Sequence, residues 1–266
     1  MNGELAALIA VVLHGNAWLA DPSGPPPSLE RDSSTLRYVQ SLTFTQPKQG
    51  LFRPERAFEG TGGWLAAQQR AGVRRLSLFA PTMNTGRLAP HLAAAFSNGV
   101  PRGLVARGKS QVLWWAHWDT DGTKDARGAI WRVSLSASEL PASFEPAAPS
   151  VPAATQELLA ALGAARSFAA AHDLQGWADV FAGAVAAGES DHPEIAYHSD
   201  LAPDGLLTPQ QRRLLAAAMQ GWVFGGMGSW NDVYLEGDAE TTQLNQVSHR
   251  LYAAVTGALV AVANAT

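Results

Sequence analysis

The sequence predicts an α+β fold: an N-terminal, mainly antiparallel β-sheet with two interspersed helices, then a C-terminal layer of about four α-helices packed on it. Three observations carry this. Before residue 140 the apolar residues recur in short runs, several with period two, as in half-buried strands. After residue 153 they recur at helical spacing. Between the two halves Pro141, Pro146, Pro149 and Pro152 punctuate an Ala/Ser-rich stretch, which neither strand nor helix interior tolerates. Strands followed by helices argue against a doubly wound parallel sheet, which alternates them. The expected division is a sheet-rich region 1–140, a connector 141–153 and an all-helical region 154–266, with the two halves able to pack as one unit.

The apolar run 5–13 is expected to be a buried strand or helix. Its length also suits a signal-peptide core, but no basic residue precedes it and Glu4 has the wrong sign. No run of 18 or more apolar residues suggests a membrane span, so a soluble, cytoplasmic protein is expected. Residues 21–27, with four prolines, form a stiff loop. A strand over 36–44 would place Leu36, Tyr38, Leu42 and Phe44 on one face. Helices are expected near 63–71 and 90–97, with a short strand over 74–79 between them. Segments 104–107, 112–119 and 130–135 read as consecutive antiparallel strands, the last with Trp131, Val133 and Leu135 on one face. The middle one is apolar on both sides, as in a central strand, and Trp115 and His117 share its more exposed face.

In the helical half, Leu158, Leu159, Leu162 and Phe168 suit one helix, and Leu174, Trp177, Phe181 and Val185 a second. The third has a capping-box start at Thr208, Pro209 and Gln211 and an apolar face of Leu214, Leu215, Ala218, Met219, Trp222 and Val223. The fourth begins near Thr242 and buries Leu244, Val247, Leu251, Val255, Leu259 and Val262. There is no internal repeat.

Composition narrows function. A hydrophobic content of 47%, a charged content of 16% and a net charge of -4 describe a globular chain with no general attraction to nucleic acid or anionic membrane. Nineteen basic residues include only three lysines, Lys48, Lys109 and Lys124, an arginine bias expected of a GC-rich bacterial genome. The absence of cysteine excludes disulfides, thiolate metal sites and cysteine nucleophiles.

Four groups of residues could carry chemistry. The first is Trp222 to Asp232, where Gly225, Gly226 and Gly228 follow an amphipathic helix and Ser229, Asn231 and Asp232 surround Trp230. An ordinary helix stop needs one glycine, so three suggest close approach of a ligand or tight packing. Ser229 lacks the G-x-S-x-G frame of a nucleophile elbow, and no basic residue within the segment assists an anion. Trp222, Gly225, Gly226, Gly228, Ser229, Trp230, Asn231 and Asp232 are the candidate binding residues. The second group lies in the loop 189–204, which carries Asp191, His192, Glu194, His198, Asp200 and Asp204. Asp191, His198 and Asp200 are candidate ligands for zinc, iron or manganese, with Asp232 able to join if the two segments meet. Third, Asp232, Glu236, Asp238 and Glu240 precede the last helix, where carboxylates favour the positive end of its dipole.

The fourth group is Asp119, Thr120, Asp121, Gly122 and Thr123, directly after the apolar run 112–118. This resembles the DxDGT motif of the haloacid-dehalogenase phosphatase superfamily. The resemblance implies Asp119 as nucleophile and Asp121 as general acid/base, around magnesium. The same residues also read as a hairpin turn, since Asp-Gly joins two strand-like runs.

The expectation is a non-catalytic protein that binds a small molecule or protein partner, with self-association possible, no cofactor implied and a divalent metal possible. The alternative is a metal-assisted hydrolase drawing on loop 189–204 and Asp232, and a phosphatase-like enzyme is the minor one.

Overall fold

Six strands form one sheet in the order β2-β1-β6-β5-β4-β3, where β1 is Val39–Gln46, β2 Arg56–Glu59, β3 Arg75–Phe79, β4 Gly103–Arg107, β5 Gln111–Asp119 and β6 Trp131–Leu140. The structure is a computed structural model that describes residues 2–48, 55–82, 88–141, 143–144 and 148–266. Pro146 and part of the connector lie outside them. Every neighbouring pair in the sheet is antiparallel except β1 with β6, which is parallel. Eight α-helices accompany the sheet among the described residues: α1 (Gly3–Ala20), α2 (Leu29–Asp32), α3 (Gly60–Arg70), α4 (Pro90–Ala93), α5 (Val151–Ala171), α6 (Gln175–Glu189), α7 (Pro209–Gln220) and α8 (Asp238–Asn264). The architecture is α+β, with α5 to α8 packed together after the sheet.

The apolar N-terminal run is helical. Asn2 caps α1 by accepting from the Glu4 amide at 2.8 Å, and Leu5, Ile9, Val12 and Leu13 are fully buried. A helix apolar on all sides belongs in a core, and α1 packs on β3, β4, α3 and α8. By length and composition alone α1, with a mean hydropathy of 1.4, is also long and apolar enough to cross a membrane. No unbroken run of 18 apolar residues is involved, since Glu4, His14 and Asn16 fall within α1.

Edge strand β3 is closed by two asparagines rather than by another strand. Asn16 of α1 accepts from Leu76 N at 2.7 Å and donates to Leu76 O at 3.0 Å. Asn264, ending α8, accepts from Leu78 N at 2.6 Å and donates to Leu78 O at 3.1 Å. Leu76 and Leu78 are the alternate residues whose backbone groups face away from β4, so each carboxamide stands in for one rung of a missing strand. Gly15 permits the approach: a β-carbon there would lie 2.6 Å from Leu76 Cδ1.

Several expectations change. Tyr38 is 57% exposed, not core, because a register irregularity between Val39 and Ser41 shifts the alternation. Val39, Leu42 and Phe44 are buried instead, and Leu36 sits in a one-turn 3-10 helix. The helix expected near 90–97 is the single turn α4, α8 begins four residues before the expected start at Thr242, and α5 starts inside the expected connector. Strand β2 has no apolar alternation, and its burial is correspondingly slight. Trp114 is core: it meets the stacked pair Phe44–Trp64 (4.2 Å) edge-on, at 5.8 and 5.5 Å. Trp115 and His117 are exposed, as the alternation predicts.

Candidate functional site

The segment after α7 is built around one buried side chain. Helix α7 ends at Gln220 with Gly221 as its C-cap at an ordinary negative φ, so Gly225, Gly226 and Gly228 are not its terminator. Trp230 is 1% exposed and is met by the rings of Phe181 (5.1 Å), Trp177 (5.5 Å) and Phe168 (6.3 Å). Its indole N–H donates to Ser248 Oγ at 2.8 Å. The polar residues then fix the loop, internally and to α4. Ser229 Oγ donates to Gly225 O at 2.9 Å, Asn231 Nδ2 to His91 O at 3.0 Å, and the Gly228 amide to the Asp232 carboxylate. Met227 at the tip is fully exposed.

Only Gly228 is conformationally required, with φ at +85°. A β-carbon on Gly226 would meet nothing within 4 Å, and one on Gly225 would make ordinary contact. Gly228→Ala is therefore expected to lower unfolding free energy by roughly 1–2 kcal/mol, against a change within about 0.5 kcal/mol for Gly226→Ala. Chemical denaturation of the two variants measures the contrast.

Loop 189–204 is pinned to the N-terminal segment. Asp200 accepts from both the amide (2.7 Å) and the hydroxyl of Ser34, at the start of the 3-10 turn Ser34–Leu36. His198 Nδ1 lies 2.9 Å from Ser34 Oγ. A hydroxyl has one proton, and with Ser34 donating it to Asp200, His198 donates from Nδ1 to Ser34. The backbone carbonyl of Asp200 lies 2.9 Å from His14 Nε2 of α1. Burial works against ionisation of Asp200, but the Ser34 hydrogen bonds outweigh it and hold its pKa below the ordinary value. Asp191 is spent elsewhere, on Arg213. No three His, Asp or Glu side chains come together as a ligand set among the described residues, and Asp232 turns into its own loop. The carboxylates named as metal candidates are thus each engaged by protein donors.

The two segments nevertheless meet. An open cleft of about 1070 Å³ is lined by Glu194, Ala196, Tyr197 and His198 from the loop, by Trp222, Val223, Phe224, Gly225 and Ser229 after α7, by Trp177 of α6, and by Ser34, Arg37 and Tyr38 before β1. It is at the upper end of small-ligand sites in size. Of the candidate binding residues, Trp222, Gly225 and Ser229 reach it. Trp230 supports it from behind through Trp177, and Gly226, Gly228, Asn231 and Asp232 do not line it. Tyr38, Tyr197, Arg37 and Trp177 were missed as site residues: nothing in the sequence pattern distinguishes an exposed loop tyrosine, and Trp177 fits a core face.

Burial holds the pKa of His198 below the ordinary histidine value, partly offset by Asp200, and burial with a contribution from His249 does the same for His91, which is 3% exposed. A histidine with a depressed folded pKa stays neutral while the unfolded chain takes up protons. Stability is therefore intact above about pH 6.5 and falls as pH drops from there through the folded pKa values. Glu4, whose pKa is raised by burial despite Asn98 and Arg102, acts oppositely, gaining stability as pH falls, so the test is differential. The loss of urea resistance between pH 7.5 and 5.5 is expected to shrink in His91→Gln.

Of the DxDGT residues, Asp119 ends β5 opposite Arg132, and Thr120, Asp121, Gly122 and Thr123 lie in the loop of the antiparallel β5–β6 hairpin. Arg132 bonds Asp121 at 2.8 Å and lies 3.7 Å from Asp119. That Arg132 hydrogen bond, with the Thr123 amide, holds Asp121 down to about 2. The chain matches no protein-family model, no curated protein and no solved structure.

Proposed function

We propose that this chain is a non-catalytic binding protein whose ligand occupies the cleft between loop 189–204 and the segment after α7. One observation carries the reading. The residues with catalytic potential around the cleft are engaged with one another, whereas Tyr38, Tyr197, Arg37, Glu194 and Gln220 are exposed on it. Ser34, His198 and Asp200 form a closed hydrogen-bonded set. Tyr38 and Tyr197, by contrast, are 57% and 85% exposed. The side chains of Arg37, Glu194 and Gln220 make no hydrogen bond or ion pair among the described residues. Concave sites with an apolar body and a few free polar ends are the usual form of a ligand site.

The reading disfavours a metal-assisted hydrolase, since that reaction needs carboxylates free to coordinate, and Asp191 and Asp200 are taken. A ligand-observed NMR screen of small polar and aromatic fragments tests the proposal. Hits are expected on the wild-type chain and lost on replacing Tyr197 by Ala. Hits indifferent to that change, or none, contradict it.

A further inference from the structure

Tyr197 is held where folding alone gives no reason to hold it. Its backbone is left-handed, with φ at +68°, in a γ-turn closed by the His198 amide on Ala196 O at 2.8 Å. The positive-φ form of that turn is rare and strained, and a bulky residue is uncommon there. Its ring is also 85% exposed, so no burial offsets the strain. Across the same cleft Tyr38 offers a second exposed ring, with the Arg37 guanidinium 5.6 Å from its centroid.

The polar groups around these rings narrow the ligand. Arg37, Glu194 and Gln220 contribute a guanidinium, a carboxylate and a carboxamide, all planar and bidentate, with their polar ends free among the described residues. Arg37 and Glu194 carry opposite charges, so an anion such as a phosphate and a cation each meet a like charge on the cleft wall. Planar two-point groups match vicinal hydroxyl pairs, which donate and accept at adjacent positions. Exposed aromatic faces match the C–H faces of pyranose rings, which are apolar and gain from stacking. A cleft of about 1070 Å³ has room for more than one such ring.

Resting on the binding reading above, we infer that the cleft ligand is a neutral oligosaccharide, stacked on Tyr197 and Tyr38 and hydrogen-bonded by Arg37, Glu194 and Gln220. A single nucleobase carries its polar groups only along its rim and engages such planar groups edge-on, whereas a chain of pyranose rings offers hydroxyl pairs along its whole length. An anionic glycan would leave Glu194 opposed.

The test uses the full chain on an array of neutral oligosaccharides, including cello-, malto- and chito-oligosaccharides, followed by calorimetric titration of the tightest. Binding to at least one is expected. Tyr197→Ala is expected to weaken it by roughly threefold to tenfold, the scale of one aromatic stacking contact. Glu194→Gln should weaken it as well, and both variants should keep the wild-type melting temperature, since neither side chain is packed. Absence of binding to every neutral glycan overturns the inference, as does binding unaffected by both substitutions. Failure here while the fragment screen still maps to Tyr197 removes the carbohydrate assignment and leaves the binding reading standing. Failure of both removes both.

Discussion

Replacing Trp230 by Ala is expected to lower the unfolding free energy by about 3–5 kcal/mol, the scale of deleting a large aromatic from a closed core. Three rings meet its indole and Ser248 takes its N–H, so the vacated space is walled by α5, α6 and α8 rather than by mobile chain. Trp230→Phe separates the two contributions. It keeps most of the ring contact but leaves Ser248 Oγ without its donor, at about 1–3 kcal/mol. Equilibrium urea unfolding followed by far-UV circular dichroism reads both. Trp177 lines the cleft and packs on Trp230, so the alanine variant should also weaken fragment binding without any change in the cleft's own polar groups.

Asn16→Ala is expected to destabilise by about 2–4 kcal/mol, although it removes only a short polar side chain. Its carboxamide satisfies both outward backbone groups of the fully buried Leu76. Each group left dry and unpaired costs about 1–3 kcal/mol. Asn16→Asp isolates the two halves of the contact, because a carboxylate still accepts from Leu76 N but faces Leu76 O with no donor. Asn264→Ala removes the equivalent pair at Leu78, where the contact is only partly buried, and a smaller loss follows. With the edge of β3 uncovered, self-association through strand pairing becomes possible. Light scattering on the variants measures it beside the urea midpoint.

Much of the fold was legible because its signals are local. Thr208, Pro209 and Gln211 announce the start of α7 and form the full capping box, and the strand pairs flanking Asp121 and Gly122 read as the hairpin they form. What was not legible depends on register or on distant partners. Tyr38 follows the alternation of β1 in sequence, and a bulge that no residue type signals turns it outward. Residues 5–13 are apolar on every side, a pattern that fits a buried strand as well as a helix. The edge-closing role of Asn16 needs α1 and β3 side by side, 60 residues apart in the chain.

The site was half legible for the same reason. The glycine-rich segment and the acidic loop were each conspicuous in composition, and both contribute to one cleft. Their most conspicuous residues, however, are used to hold the loops in shape: Trp230 as an anchor, Asp232 on Gly228, Asp200 on Ser34. The groups left exposed on the cleft are Tyr197, Glu194 and the Arg37–Tyr38 pair, and none of them lies in a motif. Exposure and lack of a partner are properties of the folded chain, which composition does not report.

Soaking crystals of the full chain with a library of small polar and aromatic fragments tests the central claim most directly, because it shows position as well as binding. Fragments are expected to stack on Tyr197 or Tyr38 within the cleft and to bond Arg37, Glu194 or Gln220. Fragments that gather elsewhere and leave the cleft empty would contradict it.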